Sequence, residues 1–76
     1  MDFDGFLENF GDLFDETDIS TIKADTVYKD LEEWSSMIAL SLIAMVDEEY
    51  NVQIKSEDIR DTNTVEDLFN IVKSRA

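Results

Sequence analysis

Two adjacent serines, Ser35 and Ser36, precede the most apolar segment of the chain, which runs from Met37 to Val46. Serine is a common helix cap, because its hydroxyl accepts a hydrogen bond from a backbone N–H of the first turn. A serine at a helix N-terminus is also exposed, and the free N–H groups and helix dipole there favour an attached phosphate. The two serines are therefore interpreted either as structural caps or as an attachment point for a phosphodiester.

The 19 Asp and Glu residues are the chain's other source of chemistry. A calcium-binding loop needs acids or amides at alternate positions, then a glycine, and a glutamate at the twelfth position. The segment 2–5 places Gly5 too early for this pattern, and the segment 61–65 has Val65 where a ligand belongs. No pair of carboxylates is distinguished from the rest for acid–base catalysis. We therefore predict neither a metal site nor enzymatic activity.

Composition excludes several classes of function. The chain has 76 residues, which suit a single domain over 1–76, and its net charge is −13. Nucleic acids and anionic membranes both attract a basic surface, so neither is expected as a partner. The chain has no cysteine and no histidine, which excludes disulfides, thiolate zinc sites and serine–histidine catalysis. The missing disulfides and an acidic N-terminus unlike a secretory leader make a cytoplasmic location the simpler prediction.

Apolar residues at helical spacing predict an all-α fold. The first predicted elements are a helix over 2–15 and a long ordered loop over 16–35, whose single apolar residues fill the core of the bundle. A second helix is predicted from Ser36 to Tyr50, with Asn51 as its C-terminal cap. A short helix over 57–61 capped by Ser56 follows, and then a last helix capped by Thr64 with Asp67. These elements predict a small four-helix bundle, with three main helices, one short helix and a long first loop.

With these elements placed, the chain resembles the acyl carrier proteins, a family that attaches 4′-phosphopantetheine to a serine. The family motif, Asp-Ser-Leu at the start of the second helix, reads Ser35-Ser36-Met37 here. The similarity covers essentially the whole chain, and its further matches are Leu40, Leu42, Val46, Asp47, Glu48, Glu49, Tyr50, Val52, Ile54, Thr64 and Val65. Attachment at Ser36 keeps these positions in step with the family, whereas attachment at Ser35 does not. The family's aspartate before the attachment serine is replaced by Ser35.

The resemblance implies a monomeric carrier with no catalytic activity, a phosphoprotein of fatty-acid or related biosynthesis. A separate Mg²⁺-dependent phosphopantetheinyl transferase would join the 4′-phosphopantetheine of coenzyme A to Ser36, and the thiol of this arm would hold acyl intermediates as thioesters. Acyl-processing enzymes with basic docking patches would contact Ser35, Met37, Leu40, Ser41, Ala44, Asp47 and Glu48. An acyl chain would lie among Leu42, Val46, Ile54 and Ile59, which could equally be plain core residues.

Two other interpretations stay open at the level of the sequence. The cargo could be an aminoacyl or peptidyl group, because nothing in the residues separates that kind of carrier from a fatty-acyl one. The chain could also be a small acidic helical interaction module in which Ser36 is only a helix cap. The mass of the intact protein after treatment with a transferase separates a carrier from an interaction module.

Overall fold

Four α-helices and two 3₁₀ turns form the regular structure of residues 2–76, the part of the chain that this computed structural model describes. In chain order the elements are α1 (Phe3–Gly11), 3₁₀ turns at Ile19–Thr21 and Tyr28–Asp30, α2 (Ser36–Tyr50), α3 (Ser56–Asp61) and α4 (Val65–Arg75). The predicted all-α bundle, with three main helices, one short helix and a long first loop, is confirmed. An isolated bridge joins Val27 to Thr64, and no strand occurs among residues 2–76.

The first helix is shorter than predicted. It begins after Asp2, whose carboxylate accepts a hydrogen bond from Gly5 N–H (2.6 Å), and it ends at Gly11 rather than at residue 15. Beyond this point the backbone tightens into turns, in which Phe14 N–H donates to Gly11 C=O (3.1 Å). Gly11 is buried, and a Cβ there would collide with the Ile19 side chain, so the loop approaches closely only because this residue is glycine. Phe14 is nevertheless buried, so it continues the apolar spacing of α1 although its backbone is no longer helical. This is why the spacing predicted a longer helix.

Aromatic side chains connect α4 and α1 to the segment that precedes α2. The ring centroids lie 5.6 Å apart for Phe6 and Phe69, 6.3 Å for Phe6 and Phe10, 5.9 Å for Phe10 and Tyr28, and 5.0 Å for Tyr28 and Trp34. Three of these residues, Phe6, Phe10 and Tyr28, are fully buried. Each favourable aromatic pair adds about 0.5–1.5 kcal/mol to the burial of its surface. The core therefore extends without interruption to Trp34.

The long loop between α1 and α2 is tied to the C-terminal half of the chain. Val65 N–H donates to Thr26 C=O (3.1 Å) and Glu66 N–H donates to Ala24 C=O (3.0 Å). These loop carbonyls satisfy donors of the first turn of α4 that have no partner inside the helix. Lys29 Nζ donates to two carbonyls at the end of α3 (3.0 and 3.2 Å). The loop is thus an ordered part of the fold, as predicted.

Only some of the apolar residues of the loop pack into the core of the bundle. Ile22 and Tyr28 are buried, and Leu31 is half-buried against the core. Ile19 and Val27 are exposed by 41% and 39%, so the expectation that they too fill the core is wrong. The loop forms short turns rather than a helix here, and its side chains therefore point inward at irregular intervals.

The predicted cap of the short helix is wrong by one residue. Ser56 is the first residue of α3, and Lys55 is the N-cap. The Asp58 carboxylate accepts a hydrogen bond from Lys55 N–H (2.9 Å) and two from the Arg75 guanidinium (2.8 and 2.9 Å). The hydrogen bonds from Arg75, followed by the one from Lys55, lower the pKa of Asp58 from 3.8 to about 2. This carboxylate therefore both caps α3 and joins it to α4.

The predicted caps of α2 and α4 are confirmed. Asn51 follows α2 in the left-handed conformation (φ 55°), which is typical of a C-terminal cap. The Thr64 hydroxyl accepts from Asp67 N–H, and the Asp67 carboxylate accepts from Thr64 N–H (both 3.1 Å). The apolar side chains on one side of α4 are buried: Val65, Leu68, Phe69 and Val72. Among residues 2–76, no helix has the length and apolar character required to cross a membrane.

Candidate functional site

The N-terminus of α2 is capped by Ser35. Its backbone is extended (φ −155°, ψ 172°), and its Oγ accepts a hydrogen bond from Ile38 N–H (3.3 Å). The Ser35 carbonyl accepts from Ala39 N–H (3.0 Å), which closes the first turn of the helix. The sequence left open whether a serine caps this helix and which one does so. In the structure, the cap is Ser35.

Ser36 is the first residue of α2 and is exposed to solvent. Within residues 2–76, its hydroxyl makes no hydrogen bond, and neither do the backbone N–H groups of Ser36 and Met37. Unpaired N–H groups of a first helical turn carry a partial positive charge and bind anions. Ser36 is thus a free hydroxyl beside an anion-stabilising helix terminus, and the interpretation that it is the helix cap is wrong.

The segment just before Ser36 is fixed by Glu33, a residue that nothing in the sequence marks as functional. The Glu33 carboxylate accepts hydrogen bonds from the backbone N–H groups of Asp15 (2.7 Å), Glu16 (3.1 Å) and Thr17 (2.8 Å). It also accepts one from the Thr17 hydroxyl (2.6 Å). The Thr17 hydroxyl first, and then the three backbone donors, lower the pKa of Glu33. No local pattern distinguishes this residue from its neighbour Glu32, so the sequence alone could not identify it.

The residues of α2 that the resemblance assigns to partner binding share one exposed face of the helix. We call this surface the docking face, and its members are Met37, Leu40, Ser41, Ala44, Asp47 and Glu48. Their spacing of three and four residues aligns them along the helix. Two large apolar side chains stand out, since Met37 is 77% exposed and Leu40 is 65% exposed. The acids of the docking face lie at its C-terminal end.

The four residues assigned to an acyl chain are core residues in this structure. Leu42 and Val46 are fully buried, Ile54 is 3% exposed and Ile59 is 7% exposed. Beside the docking face, a surface recess of about 240 Å³ is lined by Leu40, Ile43, Ala44, Asp47, Gln53, Ile54 and Lys55. Ile54 is the one member of the four that contributes to this recess. Shelter of an acyl chain among the four residues therefore stays a prediction.

Charge is distributed unevenly around the site. The sequence from Asp30 to Ile54 contains no lysine or arginine, so the whole of α2 lacks a basic side chain. Four of the six basic residues lie at or beyond Lys55. Among residues 2–76, no three acidic side chains are grouped in the way that a metal ion requires. The helix α2 itself therefore contributes only negative charge, at its distal end, and Lys55 brings a positive charge to the recess beside the docking face.

The predicted site residues thus occupy three kinds of position. Ser36 is exposed at the start of α2, the docking face lies along the solvent side of that helix, and the four residues assigned to an acyl chain lie in the core. No model of a known protein family matches the chain, and no curated protein matches it.

Proposed function

We propose that this protein is an acyl carrier, in which Ser36 Oγ is joined to a 4′-phosphopantetheine arm that holds acyl intermediates as thioesters. The supporting observation is that the two adjacent serines have different surroundings. Ser35 caps α2 by accepting from Ile38 N–H, whereas the neighbouring Ser36 hydroxyl is exposed and makes no hydrogen bond within residues 2–76. A hydroxyl without a structural task is available to a modifying enzyme.

The surroundings of Ser36 fit a phosphodiester. The unpaired N–H groups of Ser36 and Met37 and the dipole of α2 stabilise a negative charge at this position, by about 0.3–1 kcal/mol at an exposed site. On attachment, the Ser36 Oγ–phosphorus bond forms, the diphosphate bond of coenzyme A breaks with adenosine 3′,5′-bisphosphate as the leaving group, and the hydroxyl proton passes to a base of the transferase. The attached arm supplies the thiol that carries the acyl group. The carrier contributes the hydroxyl and its electrostatic surroundings, and it catalyses nothing.

The same proposal includes a setting and partners. A free thiol at the end of the arm requires a reducing compartment, and a chain without cysteine needs no oxidising one; we therefore place the protein in the cytoplasm. Phosphopantetheinyl transferase and acyl-processing enzymes would approach the docking face with basic patches opposite Asp47 and Glu48. The high negative charge, which disfavours self-association, supports a monomer.

The proposal is tested by the mass of the intact protein after incubation with coenzyme A, Mg²⁺ and a broad-specificity phosphopantetheinyl transferase. Wild-type protein is expected to gain one arm, and Ser36→Ala to gain none. Ser35→Ala is the matched control: it removes the cap, which costs about 0.5–2 kcal/mol of stability, but it leaves the modified hydroxyl in place. Wild-type protein that stays unmodified while a control carrier is loaded contradicts the proposal, as does loading of Ser36→Ala.

A second candidate function uses the docking face without the arm. The exposure of Met37 (77%) and Leu40 (65%) favours a surface that binds another protein through apolar contact. In such an interaction module Ser36 would stay unmodified, and Leu40→Ser would abolish binding of the partner. Unmodified wild-type protein in the mass experiment would therefore favour this function over the carrier.

A further inference from the structure

Three of the four residues that precede Ser36, namely Glu33, Trp34 and Ser35, are held in place by contacts. Leu31 C=O accepts a hydrogen bond from Trp34 N–H (3.0 Å). The Trp34 ring packs edge-on against Tyr28, with centroids 5.0 Å apart. Glu33 reaches across to the turn that follows α1, and Ser35 caps α2. The position of the Ser36 hydroxyl is therefore set by contacts made immediately upstream of it.

Glu33 joins this segment to a distant part of the chain through hydrogen bonds, and we call this set of hydrogen bonds the tie. One oxygen of its carboxylate accepts from Asp15 N–H, and the other accepts from Glu16 N–H and from both the N–H and the hydroxyl of Thr17, at 2.6–3.1 Å. Hydrogen bonds to an ionised acceptor are shorter and stronger than those between neutral groups. The residues around this contact include the acids Glu16, Asp30 and Glu32, and no basic side chain lines the same surface recess. The ionised carboxylate is thus stabilised by three backbone N–H groups and the Thr17 hydroxyl rather than by a basic side chain.

We propose that Glu33 is a positioning residue for the modification of Ser36, an inference that rests on the proposed carrier function. Its carboxylate fastens the segment 31–35 to the turn 15–17 and so holds the start of α2 in one orientation relative to the loop. Without the ionised carboxylate, the hydrogen bonds from three backbone N–H groups are weakened or lost, and both segments gain conformational freedom. The Ser36 hydroxyl then spends less time in the geometry that in-line attack on phosphorus requires.

This role predicts a particular split of the kinetic constants. The docking face begins at Met37 and contains none of the atoms that Glu33 touches, so binding of the transferase should be unchanged. Glu33→Gln, which keeps the size of the side chain but removes the charge, should lower kcat for loading by roughly tenfold while KM stays the same. A role in global stability alone would leave kcat unchanged at a temperature where the variant is fully folded.

The experiment compares Glu33→Gln with Glu32→Gln in loading assays with coenzyme A, Mg²⁺ and the same transferase, well below both melting temperatures. Glu32 is an exposed neighbour, and its replacement changes the net charge equally. Amide hydrogen exchange at residues 15–17 and the fluorescence anisotropy of Trp34, the single tryptophan, report the local tie without any modification. We expect faster exchange, lower anisotropy and lower kcat for Glu33→Gln, and wild-type values for Glu32→Gln.

Each other outcome overturns the inference in a distinguishable way. If wild-type protein is loaded and Glu33→Gln is loaded at the same kcat, the positioning role is wrong and the carrier function stands. If the two glutamate variants lose kcat equally, charge rather than the tie is responsible. If wild-type protein is not loaded at all, the carrier function fails and the positioning role fails with it, whatever the exchange rates show. Thr17→Val, which removes a single donor, is expected to give an intermediate kcat and guards against a variant that fails to fold.

Discussion

Tyr28, in the middle of the long loop, shares a hydrogen bond with Thr62, which follows α3, and both side chains are buried. The Tyr28 hydroxyl also lies 3.1 Å from Ile59 C=O. Burial raises the pKa of Tyr28, which is the expected effect of desolvation on a phenol. One side chain thus joins the loop to α3 through its hydroxyl and to the aromatic core through its ring.

Tyr28→Phe should lower the free energy of unfolding by about 1 kcal/mol, the usual net value of a buried neutral hydrogen bond. The loss stays modest because Thr62 Oγ1 can still donate to Ile59 C=O (3.2 Å). Tyr28→Ala, which also removes the ring, should cost about 3–5 kcal/mol. Urea unfolding measures both, with Tyr50→Phe as the control because its hydroxyl, hydrogen-bonded to Asn9 (2.9 Å), is only part-buried. Equal effects of the two Tyr→Phe changes would contradict a special role for Tyr28.

Added salt should raise the melting temperature. A net charge of −13 on so small a chain is self-repulsive, and the repulsion is screened over a Debye length of about 10 Å at 0.1 M ionic strength. Mg²⁺ and Ca²⁺ should act more strongly than Na⁺ at equal ionic strength, because they associate with clustered carboxylates. A melting temperature that responds to neither salt would show that the repulsion is too weak to matter. Glu8→Gln combined with Asp12→Asn, which removes one charge from α1 and one from the residue that follows it, should give a smaller response to salt.

Stability in acid should depend on Asp58. Its pKa is lowered from 3.8 to about 2, chiefly by Arg75, so the folded state prefers the ionised carboxylate. The stabilisation from this preference is complete above pH 3.8 and is lost as the pH falls toward 2. Relief of charge repulsion acts in the opposite direction as the pH drops from 7, so the unfolding free energy should pass through a maximum on the acid side of neutrality. Asp58→Asn should make the decrease of the unfolding free energy at low pH less steep, whereas Asp61→Asn, at an exposed position of the same helix, should not.

Reversal of the distal acids should slow loading by a generic transferase. Asp47→Lys combined with Glu48→Lys places two positive charges on the docking face opposite the expected basic patch. We expect kcat/KM to fall several-fold at low salt, by about 1.4 kcal/mol for each tenfold change, and less at high salt. Glu8→Lys combined with Asp12→Lys, in α1 and directly after it, is the control because it changes the net charge equally. An equal fall for both pairs would indicate that net charge matters and the docking face does not.

Ser35→Asp should speed loading. Aspartate caps a helix about as well as serine does, and its charge at the N-terminus of α2 adds about 0.3–1 kcal/mol of stability. By the resemblance, it also restores the charge that such transferases meet beside the attachment serine. Ser35→Asn is the control, because it keeps the cap without adding charge. If Ser35→Asp has no effect on kcat/KM or lowers it, recognition must depend on the apolar part of the docking face.

The elements that were predicted well are those whose signals are local. The caps of α2 and α4, at Asn51 and at Thr64 with Asp67, lie within one turn of the residues they satisfy, so sequence spacing reveals them. The end of α1 was misplaced because Phe14 keeps the apolar spacing of a helix while its backbone forms tight turns beyond Gly11. Apolar periodicity identifies buried side chains and does not by itself identify the backbone that carries them.

The candidate site also combines residues that have a local signal in the sequence with residues that have none. The members of the docking face were implied by the family resemblance, and their helical spacing places them on one side of α2, which the structure shows to be exposed. The choice of Ser35 as the cap depends on a single extended residue, and the choice of Glu33 over Glu32 depends on where the turn at 15–17 lies in space. Contacts between parts of the chain so far apart leave no pattern in a single sequence.

The carbonyls of Ala24 and Thr26 that receive the first N–H groups of α4 also set an order of events during synthesis. A nascent chain cannot close these bonds until Val65 and Glu66 have left the ribosome, although Ser36 emerged much earlier. A polypeptide arrested before α4 would therefore lack the anchor of the loop at Ala24 and Thr26. Completion of the last helix therefore fixes the middle of the long loop, whereas the contacts of Glu33 next to Ser36 can form earlier.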